Sequence, residues 1–389
     1  MPQRWTTRCC SALALATLLA LAGRSDAAGK SDNEPLPFWP VRPLWTLALN
    51  RAVTASPAFD ATHGYFPLAG GQLVAYELAG GARTWIVDAA PSSAPTAGGG
   101  LVFFVEDGAL VALDAKSGSR TWTVWLDDDL VVPPVWTSGW LMLATTSGTV
   151  AAVRADDGHE IWRRDLGVAA HARPAVSGDR VYVPLGDHRV VALQIESGAP
   201  LWERRLGGTP NDILALDERL FVGAGDNYFY CLTTDDGRVD WRWHAGADAI
   251  GMPAVDARHV FFVSLDNVVR SLNRSNGVQQ WIQLLKLRPT GGPLRAGGTV
   301  IVYGLQPPLR AINAADGKGG GDIAAAGPLA VAPQLIAADE PTPLLVVITR
   351  DVAKGDTVTL LSRTVEPPAS ALAPLPNALT SVPRLPGQP

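Results

Sequence analysis

The chain has 389 residues, 47% of them hydrophobic and 18% charged, with a formal net charge of −5. That is enough apolar material for a large core, and a mildly acidic balance carries no electrostatic footprint for nucleic acid. With cysteines only at Cys9, Cys10 and Cys231, a disulfide framework is excluded.

The first 27 residues read as a cleavable export signal. Arg4 and Arg8 give a positive start, and Ser11 to Ala22 is apolar but too short to span a bilayer. Ser25-Asp26-Ala27 places small residues where a signal peptidase cuts. No Cys follows the apolar run, so the sequence predicts a periplasmic or secreted protein without a lipid anchor and with no transmembrane span in the mature chain. Three arginines and one aspartate leave with the signal, taking the net charge to −7. Residues 28–40 read as a flexible leader.

From there the chain repeats itself. Tryptophans stand at Trp45, Trp85, Trp122, Trp162, Trp202, Trp241 and Trp281, spaced by 37 to 40 residues. Four residues before each from Trp85 on sits a glycine: Gly81, Gly118, Gly158, Gly198, Gly237 and Gly277. Glycine there supplies the positive φ of a tight turn. Ten residues before comes a small residue, Ala75, Ala112, Ala152, Ala192, Cys231 or Ser271. Fourteen before comes a second turn, at Gly71, Gly108, Gly148, His188, Asn227 and Asn267. β-rich runs such as "LVFFV" and "VFFVS" precede those turns. Earlier still, Pro57, Pro134, Pro174 and Pro253 keep phase, at the start of a strand. Four short strands per forty residues, with no helical periodicity, is the pattern of a propeller blade. A lone blade cannot bury both faces, so stacked neighbours must do it, and the tryptophans are assigned to lock each blade to the next.

A seventh unit keeps Pro293, Ala311 and Gly317 but has Gly321 where the Trp belongs. An eighth has "PLLVVITR" and "TVTLLSR" but no fourth strand, while "PLWTLAL" near the N-terminus is a fourth strand with no blade before it. Pairing them predicts an all-β, eight-bladed propeller of four-stranded antiparallel blades over residues 41–365, closed by the N-terminal strand on the C-terminal blade; seven blades is the alternative. Residues 366–389, with seven prolines, read as a disordered tail.

The phrases "LVALDAKSGSRTW", "TVAAVRADDGHEIW" and "VVALQIESGAPLW" resemble the pyrroloquinoline quinone (PQQ)-type propeller repeat, and the resemblance covers most of the chain. It implies one of two functional classes: quinone-dependent dehydrogenases, or binding propellers such as the BamB-like outer-membrane assembly class. In the first, the resemblance implies an adjacent Cys pair at the cofactor, and Ca²⁺ held by Glu and Asn beside an Asp base. Here the adjacent pair, Cys9-Cys10, lies in the signal. Asp127-Asp128-Asp129, the densest acidic cluster, falls in a blade-to-blade loop and reads as solvated; the six histidines lack metal-ligand spacing. Cys231 occupies a packing slot.

The sequence therefore points to a non-catalytic envelope scaffold that binds other proteins, with no cofactor, metal or nucleic-acid partner, working as a single chain within a complex. A PQQ-dependent dehydrogenase or a small-ligand-binding propeller is the alternative. The candidate binding residues are the most polar neighbours of the innermost strands, His171, Arg173, Asn211 and Asp212.

Overall fold

The computed structural model describes residues 37–338 and 342–364. The signal, the leader as far as residue 36 and the Pro-rich tail lie outside the described residues.

The described residues form eight four-stranded sheets in a ring, each antiparallel throughout, with no helix. Blade 1 consists of Ala58–Phe59, His63–Leu68, Gln72–Glu77 and Arg83–Asp88, from the channel outward. Blades 2 to 7 repeat this order, their innermost strands beginning at Thr96, Val135, Ala175, Pro210, Ala249 and Leu294. Blade 8 takes Gln334–Ile336, Leu344–Thr349 and Thr357–Arg363 from the C-terminal side and Val41–Ala48 from the N-terminal side. Trp45 pairs with Leu360 in that closing ladder. Closure leaves no blade without two neighbours, so the edges that remain are the short outermost and innermost strands of each blade. The middle strands are largely buried on both faces, which is why runs such as Val102–Val105, Ala109–Leu113 and Val260–Val263 are continuously apolar.

Eight hydrophobic clusters fill the ring, one at each seam between successive blades. The repeated tryptophans explain how the seams are built. Each from Trp85 on sits opposite the small residue of its own blade, as Ala112 opposite Trp122 and Cys231 opposite Trp241. A bulge follows at that point in every such pair. Each indole then lies over the turn glycine of the next blade. A methyl group on Gly118 would come 2.8 Å from the Trp85 ring, and one on Gly198 would come 2.5 Å from Trp162. Glycine is needed twice over there, for positive φ and for this contact.

Every one of these indoles also donates its Nε1 hydrogen to a backbone carbonyl of the next blade: Trp45 to Leu78 (2.8 Å), Trp85 to Ala115 (2.9 Å), Trp122 to Ala155 (3.1 Å), Trp162 to Ile195 (2.5 Å), Trp202 to Thr234 (2.8 Å), Trp241 to Arg274 (3.2 Å) and Trp281 to Ala314 (2.8 Å). A buried indole N–H demands a partner, and here the partner is what ties one sheet to the next.

The seam between blades 7 and 8 is different. Gly321 occupies the Trp position, opposite Ala311. Blade 8 also lacks the turn between third and fourth strands, because its fourth strand comes from the other end of the chain. Pro37–Pro40 fill this place. The last four residues of the stretch expected to be a flexible leader are thus a packed strap. Pro37 bridges to Gly297, Phe38 is 1% exposed with its N–H on Thr299 Oγ1 at 2.9 Å, and Thr364 donates to the Pro40 carbonyl at 2.8 Å. Trp39 lies on Gly320 and Gly321. The physical reason is the vacancy: a seam with no indole of its own leaves apolar surface that Phe38 and Trp39 cover.

Candidate functional site

The innermost strands surround a central channel, and their starts line a cavity of about 800 Å³. Of the eight positions just before the phased inner proline, Ser56, Arg173, Asp212, Met252, Gly292 and Ala332 line the cavity together, and Ser93 and Pro133 are not among its lining residues. Most of its wall is small or apolar, so the polar groups that do face it stand out.

Of the four candidate binding residues, Arg173 and Asp212 line the cavity. They come from the entries of neighbouring blades 4 and 5. Asp212 is half-buried, and burial raises its carboxyl above the ordinary carboxylate range, while the charges of Arg173 and His171 pull it back. His171 is exposed and held by its backbone N–H on the Pro184 carbonyl at 2.8 Å. Asn211 is turned elsewhere: its amide Nδ2 donates to the Ala249 carbonyl at 2.6 Å, bracing blade 5 against the first residue of the next inner strand. Arg173 is exposed and makes no side-chain hydrogen bond or ion pair among the described residues, so its five donors remain available.

Two further lining residues went unread in the sequence. Tyr303, on blade 7, is buried; burial first, and then the Asp212 charge, raise its phenol. Arg295 leads from the same blade and donates to the Gly297 carbonyl at 3.0 Å. Close backbone approach narrows this side. A methyl group on Gly292 would meet the Met252 carbonyl, and Gly251, at φ +64°, faces the Gly292 amide. Large residues cannot enter there.

Among the described residues no three His, Cys, Asp or Glu side chains converge as a metal site. Among the described residues Asp212 is the single acidic residue lining the channel, whereas a calcium–quinone centre calls for several oxygen donors on one point. The described residues do not fit that group. The Asp127–Asp129 loop is engaged in its own structure. Asp128 accepts hydrogen bonds from the Ser147 N–H and Thr146 hydroxyl, both at 2.8 Å, which hold its carboxyl well below the usual range, and Asp127 pairs with Arg163 at 2.8 Å. Cys231 is buried in the seam between blades 5 and 6. No helix of the described residues is long and apolar enough to cross a membrane.

Comparison with known proteins agrees with this geometry. The family described as outer membrane protein assembly factor BamB matches residues 42–132, 124–215 and 187–328, overlapping spans as a repeat produces. Among curated relatives, the outer membrane protein assembly factor BamB of Yersinia pestis is 26% identical over 246 residues, 58% of this chain and 62% of that protein. The BamB of Moranella endobia is 23% identical over 246 residues, 58% of this chain and 63% of its own length. The match thus spans less than two thirds of these relatives. Among solved structures, BamB from Moraxella catarrhalis superposes with a TM-score of 0.66 at 21% identity, covering 83% of this chain and 99% of that one. A quinohemoprotein alcohol dehydrogenase from Pseudomonas putida HK5 reaches 0.64 at 14% identity, over 84% of this chain and 77% of the enzyme. Both likenesses show the fold; the sequence match over residues 42–328 gives the family. The chain belongs to the outer membrane protein assembly factor BamB family.

Proposed function

We propose that this protein is an exported, non-catalytic scaffold of the cell envelope that binds other proteins and takes part in outer-membrane protein assembly. The observation that carries the reading is the family match over most of the propeller. The channel supports it from the other side, because among the described residues its lining does not assemble the acidic donor set of a quinone enzyme. Export follows from the N-terminal pattern of Arg4, Arg8 and the apolar run.

Arg173 and Asp212 are the channel's recognition pair in this reading. An unpaired guanidinium and a carboxylate of raised pKa, on adjacent blades at the edge of an apolar cavity, can hold a polar group of a partner in a fixed orientation. His171 tunes that pair through its charge, and Asn211 fixes the strand that carries Asp212.

The test is affinity capture from envelope extract with the full propeller as bait. Recovery of outer-membrane assembly proteins is the expected result, and it weakens when Arg173→Ala is the bait. Capture that returns no such protein would overturn the assembly role. Quinone and Ca²⁺ added to the purified protein should produce neither bound cofactor absorbance nor dye reduction with an alcohol.

A further inference from the structure

The outer wall of the ring is not uniform. On seven blades the outermost strand carries at least one charged side chain; on blade 6 the strand Gln279–Leu284 carries none. Charges are how exposed edge strands resist pairing with other chains, so this edge is the least protected. Ile282 and Leu284 face solvent on it, Leu284 at 69% exposure.

Next to it the wall is indented. The outermost strand of blade 7 is Gly319–Ile323, and its glycines leave a hollow of about 270 Å³ bounded by Leu284, Leu285 and Gly319–Gly321. A second hollow of about 460 Å³ lies beside Leu287 and Leu305, and Lys286 and Arg310 border both. Leu305 is 65% exposed. Arg310 is paired with Asp322. Lys286 and Arg288 are exposed and, among the described residues, have no ion pair or side-chain hydrogen bond. Two unpaired cations thus flank an apolar groove on a protein whose net charge is negative.

We propose that this rim of blades 6 and 7 is a docking groove for an extended, acidic segment of a partner protein. Its Leu or Val side chains enter the two hollows, and its carboxylates meet Lys286 and Arg288. The commitment to an acidic partner rests on the charge of the groove, and to an extended one on the uncharged strand edge beside it. The proposal builds on the protein-binding reading above and names the partner's chemistry.

The probe is a fluorescent nine-residue peptide of alternating Val and Glu, with a Val–Lys peptide of the same length as control, followed by anisotropy on the full chain. The wild-type protein should bind the acidic peptide at least about tenfold more tightly than the basic one. The double variant Lys286→Glu/Arg288→Glu should reverse that preference, which a merely misfolded protein would not do. Leu305→Glu should weaken the acidic peptide by about tenfold or more, as loss of a central apolar contact does. Equal binding of both peptides, or a double variant that keeps the wild-type preference, would overturn the proposal. So would tighter binding by a chain ending at residue 364, which would make the chain's own tail the occupant. A wild-type dimer dissolved by Leu305→Glu would make a second copy the occupant and would overturn it equally. If the double variant captures outer-membrane assembly proteins as well as wild type does, the groove is wrong and the scaffold reading stands. If neither captures any, the scaffold reading itself fails.

Discussion

The indole of Trp39 lies on Gly321 so closely that a methyl group at that glycine would come 2.5 Å from the ring. Gly321 holds the register position of the tryptophan that blade 7 lacks, so one residue's absence and the other's presence are a single structural fact. The two should therefore be energetically coupled. Gly321→Ala should destabilise the chain, and far less so in a Trp39→Ala background, with a coupling of about 1–2 kcal/mol in a double-mutant cycle by urea unfolding. Additive losses would show that the strap is not held by this contact. Phe38→Ala, which empties a fully buried site, should cost about 3–5 kcal/mol on its own.

Trp85 tests the regular seams. It packs against Tyr65, with ring centroids 5.7 Å apart, and donates to the Ala115 carbonyl. Trp85→Phe keeps much of the ring contact and loses the donor, leaving the Ala115 carbonyl only the long 3.4 Å bond from the Tyr65 hydroxyl, so a loss of about 1–2 kcal/mol is expected. Trp85→Ala should lose about 3–5 kcal/mol. Thermal unfolding by near-ultraviolet circular dichroism separates the two variants, and equal losses would mean that the hydrogen bond dominates the seam.

How much of this was legible beforehand follows from where the repeat is regular. The phase of Trp122, Gly118 and Ala112 already implies a strand pairing and a turn, and the phase of Pro174 places Arg173 at the channel. The strap was not legible, because Phe38 and Trp39 lie outside the repeat between prolines that read as a linker; their one signal was the Trp missing at 321. Tyr303 and Arg295 escaped for a related reason. They belong to the degraded seventh unit, where the chain enters the channel wall from positions that the other units leave small or apolar. The orientation of Asn211 toward Ala249 depends on a neighbouring blade's backbone and has no sequence signature.

Cys231 fills the small-residue slot opposite Trp241. Burial pushes its thiol up to about 12, so thiolate is scarce at neutral pH and the sulfur is inaccessible as well. A chain lacking residues 1–27 should give no reaction with a disulfide dye while folded and one equivalent in guanidinium. Rapid native labelling would mean that the seam between blades 5 and 6 opens on the time of the assay.

Asp212 sets a pH dependence of definite sign. Burial raises its folded-state pKa above the unfolded value of about 3.9, with Arg173 and His171 opposing. The folded state then holds the proton more tightly than the unfolded state. Its contribution to stability is complete below the unfolded pKa and is lost as pH rises through the folded one. Asp212→Asn removes the charge and keeps the shape. The variant should be more stable than wild type at neutral pH, with the difference closing as pH falls into the ordinary carboxylate range. Arg173→Ala should widen the neutral-pH gap between Asp212 and its Asn variant, because the guanidinium is the larger of the two charges that support the carboxylate. Melting temperatures of the four proteins between pH 3 and 8 decide it. An Asn variant less stable than wild type at neutral pH would mean that the pair is a salt bridge of net benefit, closed on itself, and would take away the free guanidinium on which the channel's recognition role depends.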